Sequence, residues 1–288
     1  VTLTVSANLP IGAGLGSSAA FSSCVAAALL IAHTHVSKFD FPAHEVDLVD
    51  AWSFLAEKVL HGNPSGIDNA VAVRGGAVAF TRAVNGKQGG LAGIRGFDSI
   101  RLLLTNTRVP RDTKSLVAGV SAKKVAEPEV VDPILDDIQA ISDEARALLD
   151  GSTPAARDVF LSRIAQLMHS NHAHLRTLGV SHPSLEAVVA ATAAEPYGLT
   201  TKLTGAGGGG CAVTLVPDTF PAETLDKLLA DLRALGAEPH ITTLGGPGLG
   251  VFRPASAASA DGHATTLRAA GSAGLADWSQ RLDGKWEH

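Results

Sequence analysis

The residue types that could do chemistry in this sequence are gathered in three glycine-bearing stretches and around two carboxylates. The first stretch, "PIGAGLGSSAA", sets Gly12, Gly14 and Gly16 at alternate positions ahead of Ser17, Ser18 and an alanine-opened apolar run. Glycines at this spacing let a phosphate chain approach the backbone with N–H groups turned inward. A helix opening at the serines adds positive dipole charge at the same spot. Two nucleotide motifs do not fit. A dinucleotide fingerprint would need glycine where Ser17 stands, and a P-loop would need a lysine directly after Gly16. Glu57 falls on an expected helix, and Asp68 follows in "GNPSGID", held by Gly, Asn, Pro and Ser. The third stretch, "TGAGGGGCAV", runs Gly205 and Gly207 to Gly210 directly into an apolar strand. Such a run costs backbone entropy, and the reading is that packing does not account for it. Plainer readings exist for each: a turn capped by Ser17 or Ser18, an exposed helix charge at Glu57, a turn-capping aspartate, and a flexible linker.

Positioning these groups requires a definite series of elements. "VTLTVSANLP" alternates as a strand ending at Pro10, and residues 17–32 read as a helix, so the order is strand, glycine loop, helix. Residues 45–61 form a second helix with Val46, Val49, Leu55 and Leu60 on its buried side. "HGNPSGIDNAVAVRGGAVAF" reads as a turn-rich loop followed by a strand, and residues 86–96 as a polar, glycine-rich connection and domain boundary. "SIRLLLTNTRV" is an apolar strand, followed by helices over 133–149, 155–178 and 184–194. "KLTGAGGGGCAVTLV" leads from loop to strand, "AETLDKLLADLRALG" is an amphipathic helix, and "PHITTL" the strand after it. Helices and strands mix without a steady βαβ rhythm, which makes the fold class α+β.

Bulk properties exclude several classes. The 288 residues carry 45% hydrophobic and 18% charged side chains with a net charge of −5, so nucleic acid has no basic footprint to grip. No apolar run reaches membrane-spanning length. Cys24 and Cys211 are the two cysteines, which points to a reducing, cytoplasmic setting rather than a disulfide framework. Residue 1 is valine and Met168 the sole methionine, so the expectation is that a segment precedes the chain.

"PIGAGLGSSAA", "HGNPSGIDN" and "KLTGAGGGGCAVTL" resemble, in that order, the second motif, the catalytic loop and the third motif of the GHMP kinases. "LLLTNTRVPRDTKSLVAGV" resembles the branch of that family acting on mevalonate, and the likeness extends over residues 1–252. The resemblance implies two α+β domains with an ATP-dependent small-molecule site between them. It implies a partial N-terminal, ATP-binding domain over 1–95, a C-terminal domain over 96–254 and a loosely ordered tail over 255–288. The family's first motif, with its lysine, and the early strands would precede residue 1. Carried over residue by residue, Gly12, Ala13, Gly14, Leu15, Gly16, Ser17 and Ser18 would wrap the ATP phosphates. Ser18 and Glu57 would ligate Mg²⁺, and Asp68 would take the proton of the mevalonate hydroxyl. Gly205, Ala206, Gly207 and Gly208 would close over phosphates and substrate, with Arg111 and Thr113 near the substrate carboxylate or Asp68. Ala7 stands where the family often has serine. Family members are often dimers, so a homodimer is part of the expectation. Another GHMP small-molecule kinase, or a catalytically silent nucleotide-binding fragment, is the alternative.

His169, His172 and His174 in "HSNHAH" lack the spacing and the cysteine partners of a metal site, and are expected to be solvated or capping. Ser65 in "NPSGI" lacks the frame of a nucleophile elbow.

Overall fold

The computed structural model describes residues 2–5, 7, 9, 15–37, 41–62, 64–81, 83, 89–94, 97–151, 155–254 and 284–287. They divide between two compact units, Val1–Gly93 with Gly246–His288, and Ile94–Gly245.

In the first unit, helix α1 (Ser17–Ala32) packs with α2 (Ala43–His61) and the short α3 (Ile67–Arg74). Its core gathers Ala26, Ala27, Leu30, Val36, Val49 and Val73. Strand β1 (Ala77–Thr81) pairs with β2 (Gly90–Ile94), and a hairpin pairs β7 (Val251–Pro254) with β8 (Gly284–Glu287). Strand β2 lies inside the stretch read as a bare connection. Within the stretch read as a tail, 284–287 form β8, and 255–283 lie outside the described residues. The strand expected at the start is not formed at residues 2–5, where Leu3 and Val5 stay exposed. Alternation makes a strand only where a neighbour supplies ladder hydrogen bonds, and no described strand pairs with this segment.

The stripe by which α2 is buried also differs from the expected one. Leu55 and Leu60 face solvent, while Val49, Ser53 and Glu57, spaced four apart, are the buried positions. The helix α3 stands where a turn-rich loop was expected, and the strand bounded by Gly75 and Gly76 is β1. "AVAV" alternates like a strand, yet Ala70 and Val73 are buried with Asn69 on a helical face. Tertiary packing outweighs local pattern in so short a segment.

The second unit is built on an antiparallel sheet ordered β4 (Thr201–Leu203), β5 (Cys211–Leu215), β3 (Ile100–Asn106), β6 (Glu238–Leu244). Central strand β3 sets Leu103 opposite Thr214 on one side and Ile241 on the other. Because strand side chains alternate, the sheet has two apolar faces. The Leu103 face packs with Leu185 and Val188 of α7 (Pro183–Ala193) and with Leu225, Leu228 and Leu232 of α8 (Ala222–Ala234). Ile100, Leu102 and Leu215 meet Leu148 of α5 (Pro128–Leu149) and Phe160, Leu161 and Leu167 of α6 (Arg157–Thr177). Helix α4 (Thr113–Ala126) follows β3 directly, and α5 starts at Pro128, five residues before the expected start, with Pro133 inside it.

Leu103 is fully buried and Leu55 is 52% exposed. Leu103→Ala should cost about 2–5 kcal/mol, whereas Leu55→Ala should stay within about 0.5 kcal/mol. Urea unfolding of the two variants measures the difference, and equal losses would overturn the revised face of α2.

Candidate active site

The first unit assembles its polar groups where α1 meets α2. The facing surface of α1 is made of Ala19, Ser22, Ser23, Ala26 and Ala27, so the two helices come close without large side chains between them. Ser23 Oγ lies 2.9 Å from Ser53 Oγ across that seam. One turn further along α2, Glu57 is 3% exposed. Its Oε1 accepts from Ser22 Oγ at 2.9 Å and its Oε2 from Ser18 Oγ at 3.0 Å. The imidazole Nε2 of His61 lies 3.7 Å from Glu57 Oε2 and 3.1 Å from Ser18 Oγ. No lysine or arginine pairs with Glu57 among the described residues. A buried carboxylate held by neutral hydroxyls is costly unless a cation completes it. Ser18 does not cap α1. The cap position is Gly16, with no side-chain cap bond, and the Ser18 hydroxyl is spent on Glu57 instead.

Asp68 sits in the first turn of α3, where negative charge is favourable. It is exposed, while the next residue, Asn69, is buried and donates to Asp50 Oδ1 at 2.5 Å. Asp50 Oδ2 accepts from Arg74 Nε at 3.1 Å and from its terminal nitrogen at 2.9 Å. Both ends of α3 are therefore tied to one aspartate of α2, the helix that also carries Glu57. A Cβ placed on Gly16 would stand 3.8 Å from the Asp68 Cβ, so backbone and carboxylate are neighbours. Gly16, Ser18, Glu57, His61 and Asp68 thus come together in this unit, with Ser17 and Leu15 beside them in sequence. Gly12, Ala13 and Gly14 lie outside the described residues.

In the second unit, residues 205–210 join β4 to β5 and fold against the start of α4. Gly208 N–H donates to Val180 O at 2.8 Å, and Gly210 N–H to Val109 O at 2.9 Å. The amides of Gly205, Ala206 and Gly207 donate to no acceptor among the described residues. A Cβ on Gly207, at φ 79°, would fall 1.9 Å from Val180 O. Packing therefore does account for glycine here, contrary to the expectation from composition. A Cβ on Gly205 would meet the Arg111 guanidinium at 2.6 Å. Arg111 forms no ion pair among the described residues, and Thr113 opens α4, whose first turn is capped by Asp112 accepting from Ser115 N–H at 3.1 Å.

Two groups in this unit escaped the sequence reading. Lys202 precedes the glycine loop in β4, donates to Leu203 O at 2.8 Å, and has its pKa lowered to about 8 by burial. His172, expected to be solvated or capping, is buried instead. Its Nδ1 accepts from Leu203 N–H at 3.3 Å, and burial lowers its pKa. The visible signal for Lys202 was a lone cation in an apolar strand, and His172 gave none.

With this architecture, the chain belongs to the GHMP kinase family: residues 1–76 match the profile "GHMP kinases N terminal domain" and residues 155–237 the profile "GHMP kinases C terminal". Among individual relatives, it is 40% identical over 262 residues to the mevalonate kinase of Mus musculus, covering 88% of this chain and 64% of that one. It is 42% identical over 259 residues to that of Gibberella zeae, covering 88% and 51%. The chain therefore spans less than two thirds of the length of these relatives. The crystal structure of L. major mevalonate kinase in complex with R-mevalonate matches with TM-score 0.65 and 25% identity, over 81% of this chain and 67% of that one. Methanococcus jannaschii mevalonate kinase matches at TM-score 0.60 and 25% identity, over 82% and 66%. Among the described residues, no helix is long and apolar enough to cross a membrane.

Gly207→Ala should cost more stability than Gly205→Ala. Both glycines are left-handed, at φ 79° and 62°, so about 1–3 kcal/mol of backbone strain is common to the two. The first adds a clash with the Val180 carbonyl, which is backbone, and the second a clash with the flexible end of Arg111. Thermal melts of both rank them, and the reverse order would overturn this packing. Lys202→Met should stabilise the protein at pH 7, because a charged ammonium no longer has to be buried. That gain should fade as pH rises from about 8 toward the ordinary lysine value of 10.5, where the folded lysine has already lost its proton and the unfolded one has not. Urea titrations of both proteins across that interval measure it.

Proposed function

We propose that the protein is an ATP-dependent mevalonate kinase, transferring the terminal phosphoryl group of ATP to the mevalonate hydroxyl to give phosphomevalonate and ADP. This is a step toward isoprenoid and sterol precursors. The observation that carries the reading is the buried Glu57 carboxylate beside Ser18, with Gly16 and Asp68 adjoining, in a chain whose relatives are mevalonate kinases. The cytoplasm and a homodimer belong to the same reading.

Phosphoryl transfer asks for positioning and charge neutralisation more than for covalent chemistry. Residues 12–18 are assigned to the phosphates. Ser18 and Glu57 offer oxygen donors only, a set that suits Mg²⁺, a hard cation that keeps waters and phosphate oxygens as its other ligands. Mg²⁺, when bound, would offset the negative charge of the phosphates. Asp68 is assigned as the base: its carboxylate orients the attacking hydroxyl and takes its proton. Arg111, in the second unit, has an uncommitted guanidinium suited to a carboxylate, and is assigned with Thr113 to that end of mevalonate. The amides of Gly205, Ala206 and Gly207 are available to anionic oxygens. Gly208, whose N–H is engaged with Val180, contributes shape.

The test follows ADP release and the mass of the product with Mg·ATP and mevalonate, against phosphomevalonate and homoserine as competing substrates. Asp68→Asn should lower kcat by about 10²- to 10⁴-fold with nucleotide affinity retained. A loss of only a few-fold removes Asp68 from the base role. Binding of Mg·ATP without ADP release would move the protein to the nucleotide-binding reading.

A further inference from the structure

His61 stands beside the Ser18–Glu57 pair without a part in the chemistry above. We propose that it is a positioning residue, whose Nε2 accepts the Ser18 hydroxyl proton when a cation is bound and so turns a Ser18 lone pair toward that cation. The inference rests on the assignment of Ser18 and Glu57 to Mg²⁺.

The hydroxyl of Ser18 has a single proton, and in this structure it points at Glu57 Oε2, 3.0 Å away. His61 Nε2, 3.1 Å from the same oxygen, must then be the donor in its own contact with Ser18. Glu57 has little freedom to respond, since its other oxygen is held by Ser22 at 2.9 Å. Were Ser18 and Glu57 both to hold a cation, the Ser18 hydroxyl proton could no longer be shared with Glu57, because a proton aimed at a cation is repelled. The proton would then need another acceptor. His61 Nε2 is already at hydrogen-bond distance.

Imidazole suits this exchange because each ring nitrogen donates or accepts according to tautomer. The proton on Nε2 leaves to water, Nδ1 gains one from water, and the Ser18 O–H swings from Glu57 to Nε2. One proton leaves and one arrives, so the net charge of the ring is the same before and after the exchange. The side chain is 53% exposed, so both nitrogens can exchange protons with solvent. Four residues after Glu57 on the same helix, His61 keeps its place relative to that carboxylate.

The experiment compares the wild-type protein with His61→Ala, His61→Gln, Ser18→Ala and Glu57→Gln. Mn²⁺ in the presence of ATP is the probe, its free fraction read by electron paramagnetic resonance. Nitrogen NMR of the labelled imidazole reads the tautomer. His61→Ala should weaken Mn²⁺ by about 10- to 100-fold and raise the half-saturating Mg²⁺ concentration in turnover similarly, with kcat changed far less. His61→Gln, whose amide oxygen can accept the same proton, should restore most of the affinity. The wild-type ring should carry its proton on Nε2 when free and on Nδ1 with Mg·ATP bound. A ring that keeps Nε2–H in the loaded protein, or wild-type Mn²⁺ affinity in His61→Ala, overturns the proposal. Unchanged affinity in Ser18→Ala and Glu57→Gln overturns the cation site itself. Losses there with His61→Ala unaffected reject His61 alone.

Discussion

The first unit depends on a carboxylate buried in a helix seam. Glu57 can occupy that seam because α1 presents alanines and serines there, and because Ser18 and Ser22 supply hydroxyl hydrogen bonds in place of water. Large apolar residues on α1 would hold the helices apart, and a seam without hydroxyls would leave the charge unsolvated. The same seam brings Ser18, two residues into α1, level with the last turn of α2, and so sets Gly16 beside Asp68. Asp50 completes the frame by holding Asn69 and Arg74, so that one helix, α2, references both acidic groups.

The second unit depends on a different constraint, the fixing of a glycine loop between two strands. Its sheet is covered on both faces by apolar helices, which makes β4 and β5 rigid ends for residues 205–210. The loop is held down by its own amides at Gly208 and Gly210 and by the contact of Gly207 with Val180. Entropy lost at the glycines is thereby converted into a single conformation.

Much of this was legible residue by residue. The helix at 17–32 follows from its alanine-rich run after the glycines, and β3, α8 and β6 follow from apolar periodicity with clear turns at their ends. The face of α2 was not legible, because its buried stripe carries Ser53 and Glu57 where periodicity looks for apolar side chains. Helix α3 was hidden by an alternating "AVAV" that belongs to a helix only once Asn69 and Arg74 find Asp50. The N-terminal alternation misled in the opposite direction, promising a strand where no described strand pairs with it.

The sequence alone determined which chemical groups are available and in what order they come: glycine loop and serines, Glu57, Asp68, and the glycine run after Lys202. Local rules suffice for that, since helix starts, glycine turns and apolar runs are written within a few residues. Only the tertiary structure decided that Glu57 is buried, that Ser18 serves it rather than the helix end, and that His61 reaches both. Those outcomes depend on which faces of α1 and α2 meet, a contact between residues about 40 positions apart whose energy no local window contains.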